Sequence, residues 1–213
     1  MRIGGIVKQS FIDWEGKVTT VVFTRGCNFR CGYCHNPSLV LPHLLVNETD
    51  IPENQLFDYL KTRREWLDGV VVTGGEPTIH ADLESFLEAI KNLGYLIKLD
   101  TNGSNPMFLK KLLARKLVDF VAMDVKTVLD LGKYQQIIGA NIPDLIRKID
   151  DSIQILNASN IDFQLRTTLI PKYYSPDIIQ QLQTQFSYCN YQLQEFRAGD
   201  TIENRVVEKK EMP

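Results

Sequence analysis

The fold of this chain is decided by the stretch Gly69-Val70-Val71-Val72-Thr73-Gly74-Gly75-Glu76-Pro77. A short β-branched run without alternating polar residues is typical of a strand that is buried on both faces. Such strands occur in parallel sheets whose faces are covered by helices. The run stops at two glycines and an acidic residue, so polar chemistry begins where the predicted strand ends.

The same strand–helix unit recurs along the chain. Six strands are predicted, at Val18–Phe23, Gly69–Thr73, Tyr95–Leu99, Val118–Met123, Asp162–Ile170 and Tyr191–Phe196. Apolar periodicity predicts helices at Pro52–Leu67, Ala81–Leu93, Met107–Arg115, Asp144–Ser159 and Pro176–Phe186. A loop containing Gly132 and Gly139 is predicted between the fourth strand and the fourth of these helices. Six units are two fewer than a closed eight-fold barrel needs, so we expect an α/β fold, either a partial barrel or an open doubly wound sheet.

Composition bounds the classes of function. The chain has 213 residues, 44% of them hydrophobic and 23% charged, with a formal net charge of -2. We expect one domain over residues 1–213, with a mobile tail over 202–213. Interspersed charges argue against nucleic-acid binding by bulk electrostatics and against a polybasic membrane patch. No apolar run approaches the roughly 20 residues of a membrane span, and the N-terminus lacks a signal-peptide pattern, so we expect a cytoplasmic protein.

Three of the four cysteines are crowded into the loop after the first strand, at Cys27, Cys31 and Cys34. Thiolates at C-x3-C-x2-C spacing can hold a soft metal centre. A zinc site would need a fourth ligand, for which His35 is the nearest candidate. The stretch also matches the C-x-x-C-H haem pattern and a thioredoxin-like pair. The remaining interpretation is an iron–sulfur cluster with three protein ligands and one open iron.

Further charged residues follow the other strands. Asp100 ends the third predicted strand, Asp124 and Lys126 follow the fourth, and Arg166 lies within the fifth. Because the carboxyl ends of parallel strands meet at one edge, where ligands bind in α/β folds, these residues are candidates for a binding site. Taken singly, each could also be a solvated charge, or a member of an ion pair in the case of Arg166.

The motifs together resemble a known family. The cysteine spacing, with the aromatic Tyr33 before the last cysteine, and the Gly74–Pro77 turn resemble two markers of the radical S-adenosylmethionine superfamily. Similarity to its glycyl-radical-enzyme activating proteins extends over Cys34–Pro37, Leu99–Gly103 and Met123–Lys126. Two further segments, Gly4-Gly5 and Ile12–Lys17, resemble the branch that activates anaerobic ribonucleoside-triphosphate reductase.

The resemblance implies a partial (β/α)6 barrel of the radical S-adenosylmethionine type and a set of site residues. It implies that Cys27, Cys31 and Cys34 bind a four-iron, four-sulfur ([4Fe-4S]) cluster whose open iron takes S-adenosylmethionine. The implied cofactor contacts are Tyr33, Gly74, Gly75, Glu76, Asp100, Asp124, Lys126 and Arg166. It further implies a monovalent cation held by the two aspartates, and a contact between Asp13 and a partner protein.

The implied activity is the abstraction of a glycine hydrogen from anaerobic ribonucleoside-triphosphate reductase, with a flavodoxin- or ferredoxin-like electron donor and no nucleic-acid or membrane partner. Three alternatives remain open at this point. They are activation of a pyruvate formate-lyase-like enzyme, a small-molecule reaction of the deazaguanine-synthase type, and a non-catalytic zinc or iron–sulfur module.

Overall fold

A computed structural model of the chain describes residues 1–46 and 49–204. One sheet holds seven strands in the order of the sequence. The strands are β1 (Ile3–Ser10), β2 (Thr19–Thr24), β3 (Gly69–Gly74), β4 (Leu96–Thr101), β5 (Phe120–Asp124), β6 (Asp162–Leu169) and β7 (Tyr191–Glu195). The last six confirm the six predicted strands to within one or two residues.

The strand order distinguishes the two expected architectures. Strands β2 to β7 are all parallel, and each pairs with the next along the chain. A doubly wound sheet would reverse its strand order at a switch point. This sheet does not, so the six parallel strands form a partial (β/α)6 barrel. The sheet ends at β1 on one side and at β7 on the other, which leaves the barrel open between them.

Strand β1 was not predicted. It runs antiparallel to β2, with Val7 opposite Val21, and register shifts interrupt the pairing. Its sequence IGGIVKQS contains two glycines, and its middle is exposed, so it shows neither a continuous apolar run nor a clean alternation. Pairing with β2 therefore makes this segment a strand, which its own sequence does not predict.

Eight helices have both of their ends within the described residues, and a 3₁₀ turn lies at Pro77–Ile79. The helices are α1 (Pro37–Val40), α2 (Pro42–Leu45), α3 (Glu53–Lys61), α4 (Leu83–Asn92), α5 (Pro106–Ala114), α6 (Leu131–Ile138), α7 (Leu145–Asn157) and α8 (Pro176–Gln185). The predicted loop containing Gly132 and Gly139 was wrong, because α6 occupies most of it. The Asp130 side chain accepts a hydrogen bond from the Lys133 amide (2.9 Å) at the start of α6, and Gly139, with φ 56°, ends it.

The two faces of the sheet differ in polarity. The outer face packs fully buried residues such as Val72, Leu99 and Leu165 against the helices. Truncation of one of these leucines to alanine would cost about 2 to 5 kcal/mol. The inner face is apolar on β2 and β3, where Val21 and Val71 are buried, and becomes polar from β4 onward. Barrel interiors are usually filled by bulky branched residues, so the polar inner face is the feature that positions the site.

The segment after β7 returns to the cysteine loop. The Ile202 amide donates to the Cys34 carbonyl (3.2 Å), and the Glu203 amide donates to the Gly32 carbonyl (2.9 Å). The Ile202 side chain is buried against Leu39 and Val40. The first residues of the predicted mobile tail are thus packed, and residues 205–213 of that tail lie outside the described part of the chain. No helix among the described residues is both long and apolar enough to cross a membrane.

Candidate functional site

A cavity of about 240 Å³ lies at the carboxyl ends of β2 to β5, and we call it the cofactor cavity. Nearly all of the predicted site residues line it. They are Cys27, Cys31, Tyr33, Cys34, Gly74, Gly75, Glu76, Asp100, Asp124 and Lys126. The expectation that residues after successive parallel strands meet at one edge is therefore confirmed by the geometry.

The cysteine loop is fixed by hydrogen bonds from its backbone. The Gly26 amide donates to the Leu39 carbonyl (2.7 Å), and the Arg30 amide donates to the carbonyl of Ile138 at the end of α6 (2.7 Å). Within the loop, the Cys34 amide donates to the Cys31 carbonyl (3.0 Å). The loop is thus held at both of its ends and by an internal turn.

The three thiols of this loop are free and largely removed from water. Burial raises the pKa of Cys27 to about 12, and the charge of Glu76 adds to the increase. Burial likewise raises the pKa of Cys31 to about 11, and it raises the pKa of Cys34. Thiolates at these positions therefore need a cationic group to compensate their charge, and an iron–sulfur centre provides one.

The arrangement of the thiols separates the metal alternatives. Within residues 1–46 and 49–204, no three His, Cys, Asp or Glu side chains are close enough to hold one metal ion. A zinc site requires its ligands within about 2.3 Å of a single point, whereas a cluster takes each thiolate on a different iron. His35, the candidate fourth zinc ligand, stacks on Phe196 with centroids 5.3 Å apart, and its Nε2 lies 2.7 Å from the Arg197 carbonyl oxygen. The donor set thus fits a three-cysteine cluster better than a zinc ion.

The turn at Gly74 and Gly75 packs against the backbone of the cysteine loop. A Cβ at Gly75 would lie 1.8 Å from the Gly26 carbonyl oxygen, and Gly74 has a φ of 111°. The Gly75 amide donates to the Thr24 carbonyl (2.9 Å), and the Glu76 amide donates to the Gly26 carbonyl (2.8 Å). These glycines line the cavity, and they also set the distance between the turn and the cysteines.

Glu76 is fully buried, and protein groups surround its carboxylate. Oε1 accepts hydrogen bonds from the Thr78 hydroxyl (2.6 Å), the Thr78 backbone amide (3.1 Å) and the Thr101 hydroxyl (2.7 Å). Oε2 accepts one from the Asn102 backbone amide (2.6 Å). Burial raises the pKa of Glu76, although these donors oppose the increase. The carboxylate joins the loops after β3 and β4 and leaves little capacity for an additional ligand.

Charged residues alternate along the inner face of β4, β5 and β6. The Arg166 guanidinium lies between two carboxylates, 2.9 Å from Asp124 Oδ1 and 3.4 Å from Asp100 Oδ2. The Lys126 ammonium is 3.2 Å from Asp124 Oδ2, and the Lys98 ammonium is 3.4 Å from Asp100 Oδ1. Burial by itself would raise the pKa of Asp124, but the charges of Arg166 and Lys126 outweigh it and lower that pKa to about 2. We call this set of five residues the charge ladder.

The charge ladder does not fit the expected monovalent cation. Both aspartates already face cationic side chains, and three cations to two carboxylates give the ladder a net charge of +1. A further cation beside these groups would be repelled, whereas a carboxylate from a ligand would be attracted. Arg166 thus forms ion pairs with Asp100 and Asp124, which is the structural role that the sequence left open for it.

Three polar side chains outside the predicted set of site residues join the loops around the cofactor cavity. The Asn28 side-chain amide donates to the Ser104 hydroxyl (2.7 Å), and the Asn102 side-chain amide donates to Asn28 Oδ1 (2.8 Å). These side chains tie the cysteine loop to the loop after β4. The available signal was their position in or next to recognised motifs, with Asn28 between two cysteines and Asn102 two residues after Asp100.

A second cavity, of about 470 Å³, adjoins the first at Asp100, which lines both. Arg166 and Asp13 line this second cavity, as does Trp14, whose ring packs on Phe120 with centroids 5.9 Å apart. Its other side chains are mostly amides, contributed by Gln164, Asn190, Gln192 and Gln194. We call it the amide-lined cavity. Asp13, the predicted partner contact, and Arg166, one of the predicted cofactor contacts, thus line the amide-lined cavity.

Comparison with known proteins places the chain among related sequences. Residues 21–180 match the family model described as the Radical SAM superfamily. The chain is 33% identical over 208 residues to a protein of Methanocaldococcus jannaschii that is provisionally named a glycyl-radical enzyme activating enzyme, covering 94% of this chain and 82% of that protein. It is 29% identical over 175 residues to the pyruvate formate-lyase-activating enzyme of Clostridium pasteurianum, covering 80% of this chain and 69% of that enzyme.

A solved structure, native anSMEcpe with bound AdoMet, superposes with a TM-score of 0.59 at 16% identity. The match covers 81% of this chain but 49% of that one, so the chain spans about half the length of that structure. At this level of identity the likeness concerns the fold, and it agrees with the partial barrel derived from the strand order.

Proposed function

The chain belongs to the radical S-adenosylmethionine superfamily, and from this membership we propose that it activates a glycyl-radical enzyme, with anaerobic ribonucleoside-triphosphate reductase as its partner. The observation that carries the proposal is the 33% identity, over 94% of the chain, to a protein named as such an activating enzyme. The choice of the reductase rests on Gly4-Gly5 and Ile12–Lys17, which resemble the reductase-activating branch.

As a member of this family the chain is an enzyme that uses a [4Fe-4S] cluster and S-adenosylmethionine, as predicted. When bound, these groups would supply a one-electron reductive cleavage of the S–C5′ bond, with a flavodoxin- or ferredoxin-like electron donor, and an adenosyl carbon that would accept a hydrogen atom from the partner's glycine. The products are 5′-deoxyadenosine, methionine and a glycyl radical, which balances the electron and the hydrogen.

The residues of the cofactor cavity have distinct roles in this proposal. Cys27, Cys31 and Cys34 bind the cluster, and the turn at Gly74 and Gly75 offers backbone carbonyls to the methionyl ammonium. Glu76 holds that turn in place through its four hydrogen bonds, so it acts as a positioning residue.

The charge ladder binds the methionyl carboxylate, since its net charge of +1 is complementary to one carboxylate. Tyr33 packs beside the adenine, with its ring 5.7 Å from the Lys126 ammonium. The buried walls of the cavity exclude water from the reacting atoms.

The test is anaerobic activation of the partner. The reconstituted protein, dithionite, S-adenosylmethionine and anaerobic ribonucleoside-triphosphate reductase should give a glycyl doublet in electron paramagnetic resonance, and the Cys31→Ala variant should give none. A doublet only with a pyruvate formate-lyase-like enzyme would reassign the partner. Absence of a doublet with either enzyme, from a protein that cleaves S-adenosylmethionine, would refute the proposed function.

A further inference from the structure

The amide-lined cavity has a composition unlike that of the barrel around it. Gln164 on β6 and Gln192 and Gln194 on β7 line this cavity on the inner face of the sheet, whereas Leu165, which follows Gln164, is buried in the core on the outer face. In a filled barrel these inner positions would carry branched apolar side chains. Here they leave about 470 Å³ of space walled by polar groups, a volume within the usual range of ligand sites.

The polar groups of this wall match a peptide main chain. Each glutamine amide offers two donors and one acceptor oxygen, and each peptide unit offers one of each. Within the described residues, the one hydrogen bond between the wall amides joins Gln164 Nε2 to Asn190 Oδ1 at 3.5 Å, so most of their capacity is available. Asp100 Oδ1, on the wall that both cavities share, lies 3.4 Å from the Lys98 ammonium, and no described group donates a hydrogen bond to it.

The amide-lined cavity lies next to the cofactor cavity. It meets the cofactor cavity at Asp100, and a hydrogen atom can only be transferred between atoms that approach to about 3 to 3.5 Å. The wall strand β7 is the edge of the sheet, so an extended segment can enter from the open side of the barrel. Another part of the wall comes from the loop between β1 and β2, where Trp14 packs on Phe120 and the Asp13 carbonyl accepts a hydrogen bond from Lys98.

We propose that the amide-lined cavity binds the extended main chain of the partner's glycine-bearing loop, with Gln164, Gln192 and Gln194 hydrogen-bonding its peptide groups. This inference rests on the proposed function and adds a mode of recognition to it. The enzyme recognises the main chain rather than the side chains that flank the glycine. The glycine lies at the Asp100 end, where the absence of a Cβ permits close approach to the cofactor.

The experiment uses the cluster-loaded protein, dithionite, S-adenosylmethionine and a short capped peptide of alanines with one central glycine, deuterated at its Cα. Deuterium transferred to 5′-deoxyadenosine reports binding of the peptide beside the cofactor, and cleavage of S-adenosylmethionine without peptide reports the cofactor cavity alone. Gln164→Leu and Gln194→Leu should lower the transfer by about tenfold or more and leave the peptide-free cleavage unchanged. Gln183→Leu, on the exposed face of α8, is the matched control and should change neither.

Two series of peptides test the main-chain mode directly. N-methylation next to the glycine removes one N–H donor and should lower the deuterium transfer, whereas replacing a flanking alanine with serine or leucine should change it little. Transfer that survives in both glutamine variants, or that follows the flanking side chains instead of N-methylation, would overturn the inference. So would a wild-type protein that forms the glycyl doublet with its whole partner but takes no deuterium from the peptide. Absence of both the doublet and the transfer would instead overturn the proposed function.

Discussion

The cofactor cavity and the amide-lined cavity share Asp100, yet they are built from different parts of the barrel. The first is made of loops whose backbones are in contact, as at Gly75 and Gly26. The second is made mostly of side chains, which project from β4 to β7 and from the loop between β1 and β2. A site made by backbone contact tolerates no added atom, whereas a site lined by side chains can be changed one residue at a time. The two cavities can therefore be tested by different kinds of substitution.

The strongest test of the cofactor cavity is the removal of one cluster ligand. Cys31→Ala should abolish the brown colour of the anaerobically reconstituted protein and all reductive cleavage of S-adenosylmethionine, because two thiolates cannot retain the cluster. The matched control is Cys189→Ala, since Cys189 does not line the cofactor cavity and its thiol donates a hydrogen bond to the Phe186 carbonyl (3.4 Å). A colourless wild-type protein that contains zinc would contradict the cluster assignment.

The backbone contact itself is tested by adding one methyl group. Gly75→Ala would place a Cβ 1.8 Å from the Gly26 carbonyl oxygen, so the turn or the cysteine loop must move. We expect a loss of about 3 kcal/mol or more in the free energy of unfolding, together with weaker S-adenosylmethionine binding, measured by thermal unfolding and by titration.

The control for this substitution is Gly5→Ala in β1, where the nearest atom to an added Cβ is 3.7 Å away. Its effect should stay within about 0.5 kcal/mol. Equal losses in the two variants would mean that backbone contact does not distinguish the cofactor cavity.

Arg166 tests the boundary between the two cavities. Arg166→Gln lowers the net charge of the ladder from +1 to 0, so the affinity for S-adenosylmethionine should fall by about tenfold. The wild-type affinity should be the same in potassium and in tetramethylammonium salts at equal ionic strength, because the ladder does not fit an added cation. The variant exposes two carboxylates, and potassium should restore part of its affinity. A potassium-dependent wild-type protein would contradict this account of the ladder.

The sequence predicted the cofactor cavity better than the amide-lined cavity, and the reason is physical. Cysteines, glycines and aspartates after successive parallel strands must meet at one edge, so the residues of the cofactor cavity could be identified from the pattern and the strand order. The partners of Arg166 could not, because they depend on the register that sets Arg166 opposite Asp124. The stretch Tyr191–Glu195 alternates polar and apolar residues, which usually indicates a polar face toward water. In this barrel the polar face is turned inward, and only closure of the sheet determines that.

The smallest expected effect concerns the hydrogen bonds that hold Glu76. Thr101→Val removes one donor from a fully buried carboxylate and should lower the free energy of unfolding by about 1 to 3 kcal/mol near neutral pH. Burial raises the pKa of Glu76 above its unfolded value. The folded state therefore loses stability as the pH rises through the folded pKa and the buried carboxyl ionises. The deficit of Thr101→Val should therefore shrink over the range in which the pH is lowered through the raised pKa of Glu76, because a protonated Glu76 needs fewer donors. Anaerobic thermal unfolding across this range measures it, and a deficit that stays constant or grows on acidification would mean that Glu76 does not carry the charge that joins the two loops.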